Sequence, residues 1–335
     1  MSKILKLYAP RDLRYETHLL PPLGPHDVHL RSRLGAISTG TESAWYFGTD
    51  PQLDPHFRPQ RFDRAHFPRT LGYEKVAEVV ALGSAVTGLQ IGQRVVAHYP
   101  HAEEMVWPAA KVVPIPDDIS DEEVIFANLI NVASHGVRRS GMQLGDDVLI
   151  TGAGAVGLLC LISARLAGAN RVIVTDAYEK RLGLARQFGA DVVLNVREGD
   201  VVGEINGRFP PNTIDVAFEC SSSYEALADA MAVVKRNGRI CVMAQLKGAY
   251  PQHPLFGMDF HLGELEMISS DGQWDLHKHA RWFFGAIQRG QIRHLTDLIT
   301  HRIPFSNIQH GFDIIEQQPE EMVKIVVTYG NTVSA

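Results

Sequence analysis

Val148-Leu149-Ile150-Thr151-Gly152-Ala153-Gly154-Ala155-Val156-Gly157 is the stretch whose reading decides the fold. A short apolar run of strand type leads straight into G-x-G-x-x-G, and an apolar helical pattern follows. The glycine motif alone is weak. A strand before it and a helix after it are the context that a β-α-β dinucleotide-binding turn demands. Gly152 permits the tight turn, Gly154 lets the backbone approach a pyrophosphate, and Gly157 allows the helix to sit close against the strand. The amides at the helix start, Ala155 and Val156 among them, then face the phosphates. The competing reading is a turn whose glycines serve packing alone.

Working outward, Asp176 closes the next apolar run, 19 residues past Gly157. An acid there accepts the ribose hydroxyls of an adenosine and repels a 2'-phosphate, so the expected cofactor is NAD(H). The bland alternative for Asp176 is a solvated strand-end acid. Lys180 and Arg181 open the following helix, where each pairs with the adenosine end or stands as an exposed helix cation; both readings stay open. Residues 145–270 alternate strands (147–151, 171–176, 214–219, 239–243, 266–269) with helices (155–168, 179–188, 223–235), the pattern of an α/β doubly wound parallel sheet. Cys220 and Ser221, and Met243 to Gln245, follow later strands at the carboxyl edge where ligands collect. Cys220 and Met243 therefore join the cofactor candidates.

Before this block, residues 1–125 read as short β-rich runs broken by Pro and Gly, at 28–34, 72–82, 93–98 and 105–113. Ser120 with the acids Asp121 to Glu123 marks a helix start. After Asp271 a helix at 277–289 and a last strand at 324–329 are expected. The chain thus divides into 1–125, 126–270 and 271–335.

With 335 residues, two domains are the working assumption, since one core seldom grows beyond roughly 250 to 300 residues. The 45% apolar and 21% charged composition is that of a globular protein able to bury a large core. A net charge of -6 supplies no basic surface for nucleic acid, which points to a small-molecule substrate. The N-terminus is too charged for a signal peptide, and no long apolar window could span a bilayer, so no membrane association and a cytoplasmic location are expected. Three cysteines, Cys160, Cys220 and Cys241, without C-x-x-C spacing, build neither a disulfide framework nor a cysteine zinc site. The histidine pairs His98 with His101 and His277 with His279 lack a carboxylate in a recognisable ligand pattern and read as solvated or hydrogen-bonded. His135, four residues after Asn131, reads as helix packing.

Ser38-Thr39-Gly40-Thr41-Glu42, Leu71-Gly72-Tyr73-Glu74, Gly92-Gln93-Arg94-Val95-Val96, the glycine motif with Asp176, and Gly311-Phe312-Asp313-Ile314-Ile315 together resemble the medium-chain dehydrogenase/reductase superfamily over essentially the whole chain. Ile37 to Glu42 with Gly72-Tyr73-Glu74 looks most like the bacteriochlorophyllide a dehydrogenase type, which oxidises a hydroxyethyl group. The resemblance implies a GroES-like catalytic domain at 1–125, a Rossmann NAD-binding domain at 126–270, a C-terminal return at 271–335, and a homodimer or homotetramer. Zinc members of the superfamily place a cysteine, a histidine, and a third cysteine or acid on the metal. Those positions fall here on Thr39 (or Ser38), Tyr73 and Asn128, poor zinc ligands beside thiolate, imidazole and carboxylate. The four-cysteine structural lobe is missing too. No zinc is expected.

A cluster of neutral hydrogen-bonding groups, Tyr73, Thr39, Ser38 and Asn128, then takes over the polarisation of a substrate oxygen that a Lewis acid supplies in the relatives. Tyr73 is the leading acid/base or oxygen-orienting donor, its ordinary pKa near 10 needing a cationic neighbour for proton abstraction. Lys75, two residues on, is that neighbour or, more simply, an exposed lysine. The competing role for Tyr73 is a core tyrosine. Thr41 matches the superfamily position that passes the proton towards solvent, Glu74 a buried anchor, and Lys324 a basic residue that reaches the pyrophosphate or is a surface ion pair. Trp45, Tyr46 and Phe47 wall a substrate pocket or simply pack, with His101, Trp107 and Trp274 as further pocket candidates. The expected activity is NAD(H)-linked, zinc-independent alcohol oxidation or ketone reduction on a small or medium, partly apolar substrate. Transient oxidation by a resident NAD, C-C double-bond reduction, and a non-catalytic NAD(H) sensor stay open.

Overall fold

The computed structural model describes residues 2–54, 66–211, 213–247, 256–272 and 276–330. The chain folds into two units, Met1–Phe126 with His294–Ala335, and Ala127–Arg293. The re-entry into the first unit comes at His294, later than the expected 271. The physical reason is the helix Leu276–Gln288, which buries His279, Ala280, Phe283 and Phe284 and packs on the helix Ala127–Arg139 of the second unit.

The second unit is built on a six-stranded, wholly parallel sheet in the order Val192–Asn195, Arg171–Asp176, Asp147–Thr151, Ile214–Glu219, Val234–Val242, Glu266–Ser269. Asp147–Thr151 is central and buried along its whole length, which is why its sequence runs apolar without alternation. Strand order reverses between Asp147–Thr151 and Ile214–Glu219, so the crevice at their carboxyl ends is the switch point where a doubly wound sheet takes its ligand. The expected strands at 147–151, 171–176, 214–219 and 266–269 form with those bounds.

In the first unit the largest sheet runs Ile299–Pro304, Lys324–Thr328, Asp27–Ile37, Glu74–Leu82, Arg94–Ala97, Val112–Pro114. Asp27–Ile37 alternates buried and exposed positions along its first half, then becomes buried on both faces as it enters the core. The expected strand at 105–113 is in fact two. Glu104–Pro108 pairs with Asp27–Ile37, a single 3-10 turn intervenes at Ala109–Lys111, and Val112–Pro114 pairs with Arg94–Ala97. Pro108, which lacks an amide donor, falls where the first ladder ends. Ser120 caps the helix Asp121–Val124 in a reciprocal capping box with Glu123. The core under the sheet packs Leu5, Leu7, Ile37, Trp45, Tyr46, Phe312 and Val327, each apolar side chain of this size stabilising by about 1.5–3 kcal/mol on full burial. Among the described residues no helix is long and apolar enough to cross a membrane.

Candidate functional site

In the second unit the glycine turn has the geometry its sequence demands. Gly152 sits at φ +90°, and a Cβ there would meet the backbone of Ser221 at 2.8 Å. A Cβ on Gly157 would lie 1.8 Å from the Gly152 carbonyl, so only glycine lets the helix Ala155–Leu166 start this close to the turn. Gly154 caps that helix, and a Cβ there meets nothing within 4 Å, so the turn's outer face stands open beside the free amides of Ala155 and Val156. Cys220 and Ser221 close on the same turn from the end of Ile214–Glu219.

Asp176 is buried at the carboxyl end of its strand. Its Oδ2 accepts from the Ala153 amide at 2.7 Å and its Oδ1 from the Tyr178 amide at 2.9 Å. A carboxylate offers about four acceptor sites, so this clamp on the glycine turn leaves two for hydroxyl donors. Arg181 stands beside it, Nη1 3.8 Å from Oδ2, with its guanidinium over the Tyr178 ring at 4.7 Å. Lys180 is exposed on the same helix. Met243 is corrected from cofactor contact to packing: its sulfur lies against Gly136, where a Cβ would come within 2.1 Å, and 3.6 Å from the Cys241 Sγ. A residue the sequence reading missed is Glu219, fully buried at the edge of the crevice. Its Oε1 accepts from the Ser221 and Ser222 amides and the Ser221 hydroxyl, and burial raises its pKa against those bonds. Its only signal was an acid at the end of a core strand.

In the first unit Ser38, Thr41 and Tyr73 come together. The turn Ser38–Gly40 leads into the helix Thr41–Phe47, with the Thr41 amide bonded to the Ser38 Oγ at 3.3 Å, and the Tyr73 hydroxyl hydrogen-bonds the side chains of both Ser38 and Thr41. Thr39 is half-buried between them in sequence. Tyr73 stacks on His98 with 5.1 Å between ring centroids. Burial first, and then the neighbouring Glu74 carboxylate, push the Tyr73 phenol well above its usual range. Tyr73 is therefore a neutral hydroxyl, and the expectation of a lysine that lowers its pKa is overturned. Asn128 is buried in the other unit, on the helix Ala127–Arg139.

Lys75 is not an exposed lysine but is wholly buried, and its ammonium lies 2.8 Å from the His101 Nδ1. Burial, opposed by Glu42 and Glu74, lowers its pKa to about 7. The strand Glu74–Leu82 is central in its sheet, so its first residues face protein on both sides. Lys324 is likewise corrected: its ammonium is buried, donating to the Glu74 Oε1 at 2.7 Å and to the Ile37 carbonyl at 3.2 Å, and is not held out for a pyrophosphate. Burial raises the Glu74 carboxyl to about 6 against that ion pair, and its second oxygen has no hydrogen-bond partner.

The aromatic wall is core as well. Trp45 and Tyr46 belong to the buried cluster, Tyr46 stacking on Phe312 at 4.3 Å and the Arg69 guanidinium covering Trp45 at 3.3 Å, while Phe47 is half-buried under Arg11. A helix of seven residues between the turn and the core leaves those rings no other face. Trp107 lies 6.0 Å from Tyr99 in a neighbouring cluster. Trp274 lies outside the described residues. His279 bonds the Ser134 Oγ at 2.6 Å and packs edge-on against His135, the helix-packing role expected of the latter. Among the described residues no group of three or more His, Cys, Asp or Glu side chains stands together as a metal ion requires.

A parallel sheet with a glycine turn in one unit and a hydroxyl cluster on a β-rich scaffold in the other are the layout of an alcohol dehydrogenase-like fold. The family comparisons agree: residues 46–117 match the alcohol dehydrogenase GroES-like domain and residues 155–278 the zinc-binding dehydrogenase family. The L-threonine 3-dehydrogenase of Stenotrophomonas maltophilia (strain K279a) is 30% identical over 352 residues, covering 95% of this chain and 97% of the relative. That of Chelativorans sp. (strain BNC1) is 29% identical over 93% of this chain and 94% of the relative. In fold the chain is similar to 2R,3R-butanediol dehydrogenase from Bacillus subtilis, with TM-score 0.82 at 22% identity over 98% of this chain and 100% of the other. It is similar also to a chain from Sinorhizobium meliloti 1021 bound to NADP, with TM-score 0.80 at 24% identity over 98% and 99%. The chain belongs to the medium-chain dehydrogenase/reductase superfamily, of the alcohol dehydrogenase-like type, and is an oxidoreductase.

Proposed function

We propose that the protein is a zinc-independent, NAD(H)-linked oxidoreductase that interconverts a secondary alcohol and its ketone. The observation that carries this reading is the hydroxyl cluster of Tyr73, Ser38 and Thr41. By the resemblance, Tyr73 and Ser38 (or Thr39) stand where zinc relatives carry metal ligands, and Thr41 where they pass the proton towards solvent. Hydroxyl, phenol and amide groups do not fit a catalytic zinc, whose usual donors are thiolate, imidazole and carboxylate. They fit the recognition of an oxygen. A neutral Tyr73 donates its one hydrogen to the substrate oxygen, and the Ser38 and Thr41 hydroxyls donate to the Tyr73 oxygen and hold it in that orientation. Because its phenol is raised, Tyr73 acts as a donor to developing negative charge and not as a base.

The nicotinamide cofactor supplies the hydride chemistry. Gly152, Gly154 and Gly157 with the amides of Ala155 and Val156 would hold its pyrophosphate, and Asp176 its adenosine ribose. The carboxylate favours NAD(H), since a 2'-phosphate beside it meets like charge. Relatives named for L-threonine 3-oxidation and for 2R,3R-butanediol act on secondary alcohols. The likeness of Ile37 to Glu42 to a hydroxyethyl-oxidising enzyme supports the same substrate class.

The test is a panel of secondary alcohols and ketones followed by NADH absorbance, on protein dialysed against a strong chelator. The expected outcome is turnover with NAD(H), unchanged by the chelator and at least about tenfold better than with NADP(H), a preference of about 1.4 kcal/mol. Activity lost to the chelator and restored by zinc would overturn the zinc-free reading, and turnover without net NADH would assign transient oxidation instead.

A further inference from the structure

We propose that His101 is the positioning residue of the reaction site, fixing the Ser38–Thr41 turn through Glu42 and the Tyr73 backbone through Gly72. The inference rests on the reading of Ser38, Thr41 and Tyr73 as the groups that meet the substrate oxygen.

His101 has no exposed surface, and every polar atom it owns is engaged. Its Nε2 lies 3.0 Å from the Glu42 Oε1; its Nδ1 lies 2.8 Å from the Lys75 Nζ and 3.0 Å from the Tyr329 hydroxyl. Its amide donates to the Leu71 carbonyl at 2.7 Å, and its own carbonyl accepts from the Leu5 amide at 2.8 Å. Two of these links lead to the hydroxyl cluster by separate routes. Glu42, held at one oxygen by His101, accepts the Ser38 amide at 2.8 Å with the other, closing the turn that carries Ser38 and Thr41. On the second route, the bond to Leu71 and the imidazole face bring the chain at Gly72 against the ring. Gly72 sits at φ +95°, and a Cβ there would lie 2.6 Å from the His101 Cδ2. Tyr73 follows directly, so one ring sets both halves of the site.

The charges select one tautomer. Burial works to raise the Glu42 carboxyl, but His101, the Ser38 amide and Lys75 outweigh it and hold the acid below the usual range. Burial, then the Lys75 ammonium, lower the His101 imidazole, so the ring is neutral. A neutral ring beside the Glu42 carboxylate satisfies it only with the proton on Nε2, which leaves Nδ1 to accept from the Lys75 amino group and the Tyr329 hydroxyl. Flipping the ring would set carbon against both partners, and an unmet polar contact in a dry interior is expensive. The orientation of His101 is thereby fixed from three sides.

Three variants and one spectrum test this. His101→Leu removes all three ring hydrogen bonds; misplacing a reacting group by an ångström lowers turnover by about 10²-fold, which is the expected fall in kcat, with NADH affinity unchanged. His101→Gln can donate to Glu42 and accept from Lys75, so it recovers most of that loss. A folded His101→Leu enzyme with wild-type kcat, or a Gln variant no better than Leu, overturns the proposal. Should His101→Leu not fold, the ring nitrogens of the ¹⁵N-histidine-labelled wild-type protein decide. The Nε2-protonated neutral tautomer at neutral pH supports the proposal, and an Nδ1-protonated ring or an imidazolium overturns it. Tyr73→Phe separates this from the reading beneath it: normal turnover in that variant sinks the hydroxyl site itself, whereas a slow Tyr73→Phe with a fast His101→Leu sinks only the positioning role.

Discussion

The glycine turn of the second unit and the buried acid-base cluster of the first both set polar groups into apolar surroundings, yet they are made of opposite materials. The turn is one continuous stretch, 151–157, whose chemistry resides in backbone amides and whose glycines matter for what they lack. The cluster gathers side chains from residues 38–42, 72–75, 101, 324 and 329, far apart in sequence, and depends on the charge of each. A site made of backbone tolerates loss of a charge and fails when an atom is added. A site made of buried side chains fails when a charge loses its partner. That asymmetry orders the experiments below.

The largest effect is expected at Lys324. Lys324→Met leaves Glu74 buried with neither oxygen paired, since Oε2 already lacks a partner, and breaking such a pair from one side destabilises by about 3–5 kcal/mol. Urea unfolding measures it, and Glu74→Gln placed in the same chain should recover most of the loss. A Lys324→Met variant as stable as the parent would dissolve the contrast between the two sites.

Adding one methyl group to the glycine turn tests the other side. At Gly157 the new Cβ would collide with the Gly152 carbonyl, and overpacking of this kind destabilises by about 1–3 kcal/mol. Gly154→Ala meets nothing in the protein, so its melting temperature should match the parent while NADH affinity, followed by fluorescence titration, falls. Equal stability losses in the two variants would show that the turn's open face is not open.

The same contrast explains what could be read from the sequence. The turn, its strand and its helix were legible because the determinants are local: strand Asp147–Thr151 and helix start Ala155 lie where the glycine spacing puts them. Tyr73 and Ser38 were found by their place in a family pattern, but the partners that decide their behaviour were not. Lys75 read as exposed because nothing in a strand's own sequence says that both of its faces meet protein. Tyr329 carried no signal at all, since its contact with His101 joins residues 228 apart. Trp45 and Tyr46 read as a pocket wall because aromatic residues line clefts and cores alike, and only packing on Phe312 separates the two.

Over any single pH unit, the smallest effect is a pH dependence centred on the first site. Lys75 has its pKa lowered from 10.5 to about 7, by burial against the pull of Glu42 and Glu74, with His101, Tyr99 and Tyr329 also facing it. Between those values the unfolded chain binds a proton that the native chain does not, so stability rises with pH across that window, by at most about 1.4 kcal/mol per pH unit for a single group. Glu74 acts in the opposite sense lower down. Its pKa is raised from 4.5 to about 6, the native chain holds the extra proton there, and stability falls as pH rises through that interval. The two windows meet in a shallow minimum between pH 6 and 7. Lys75→Met cannot titrate, so its unfolding free energy should lose the rise above pH 7 and keep the fall below pH 6. If the rise survives in that variant, its source lies elsewhere in the chain and the buried ammonium is not what distinguishes the first site from the second.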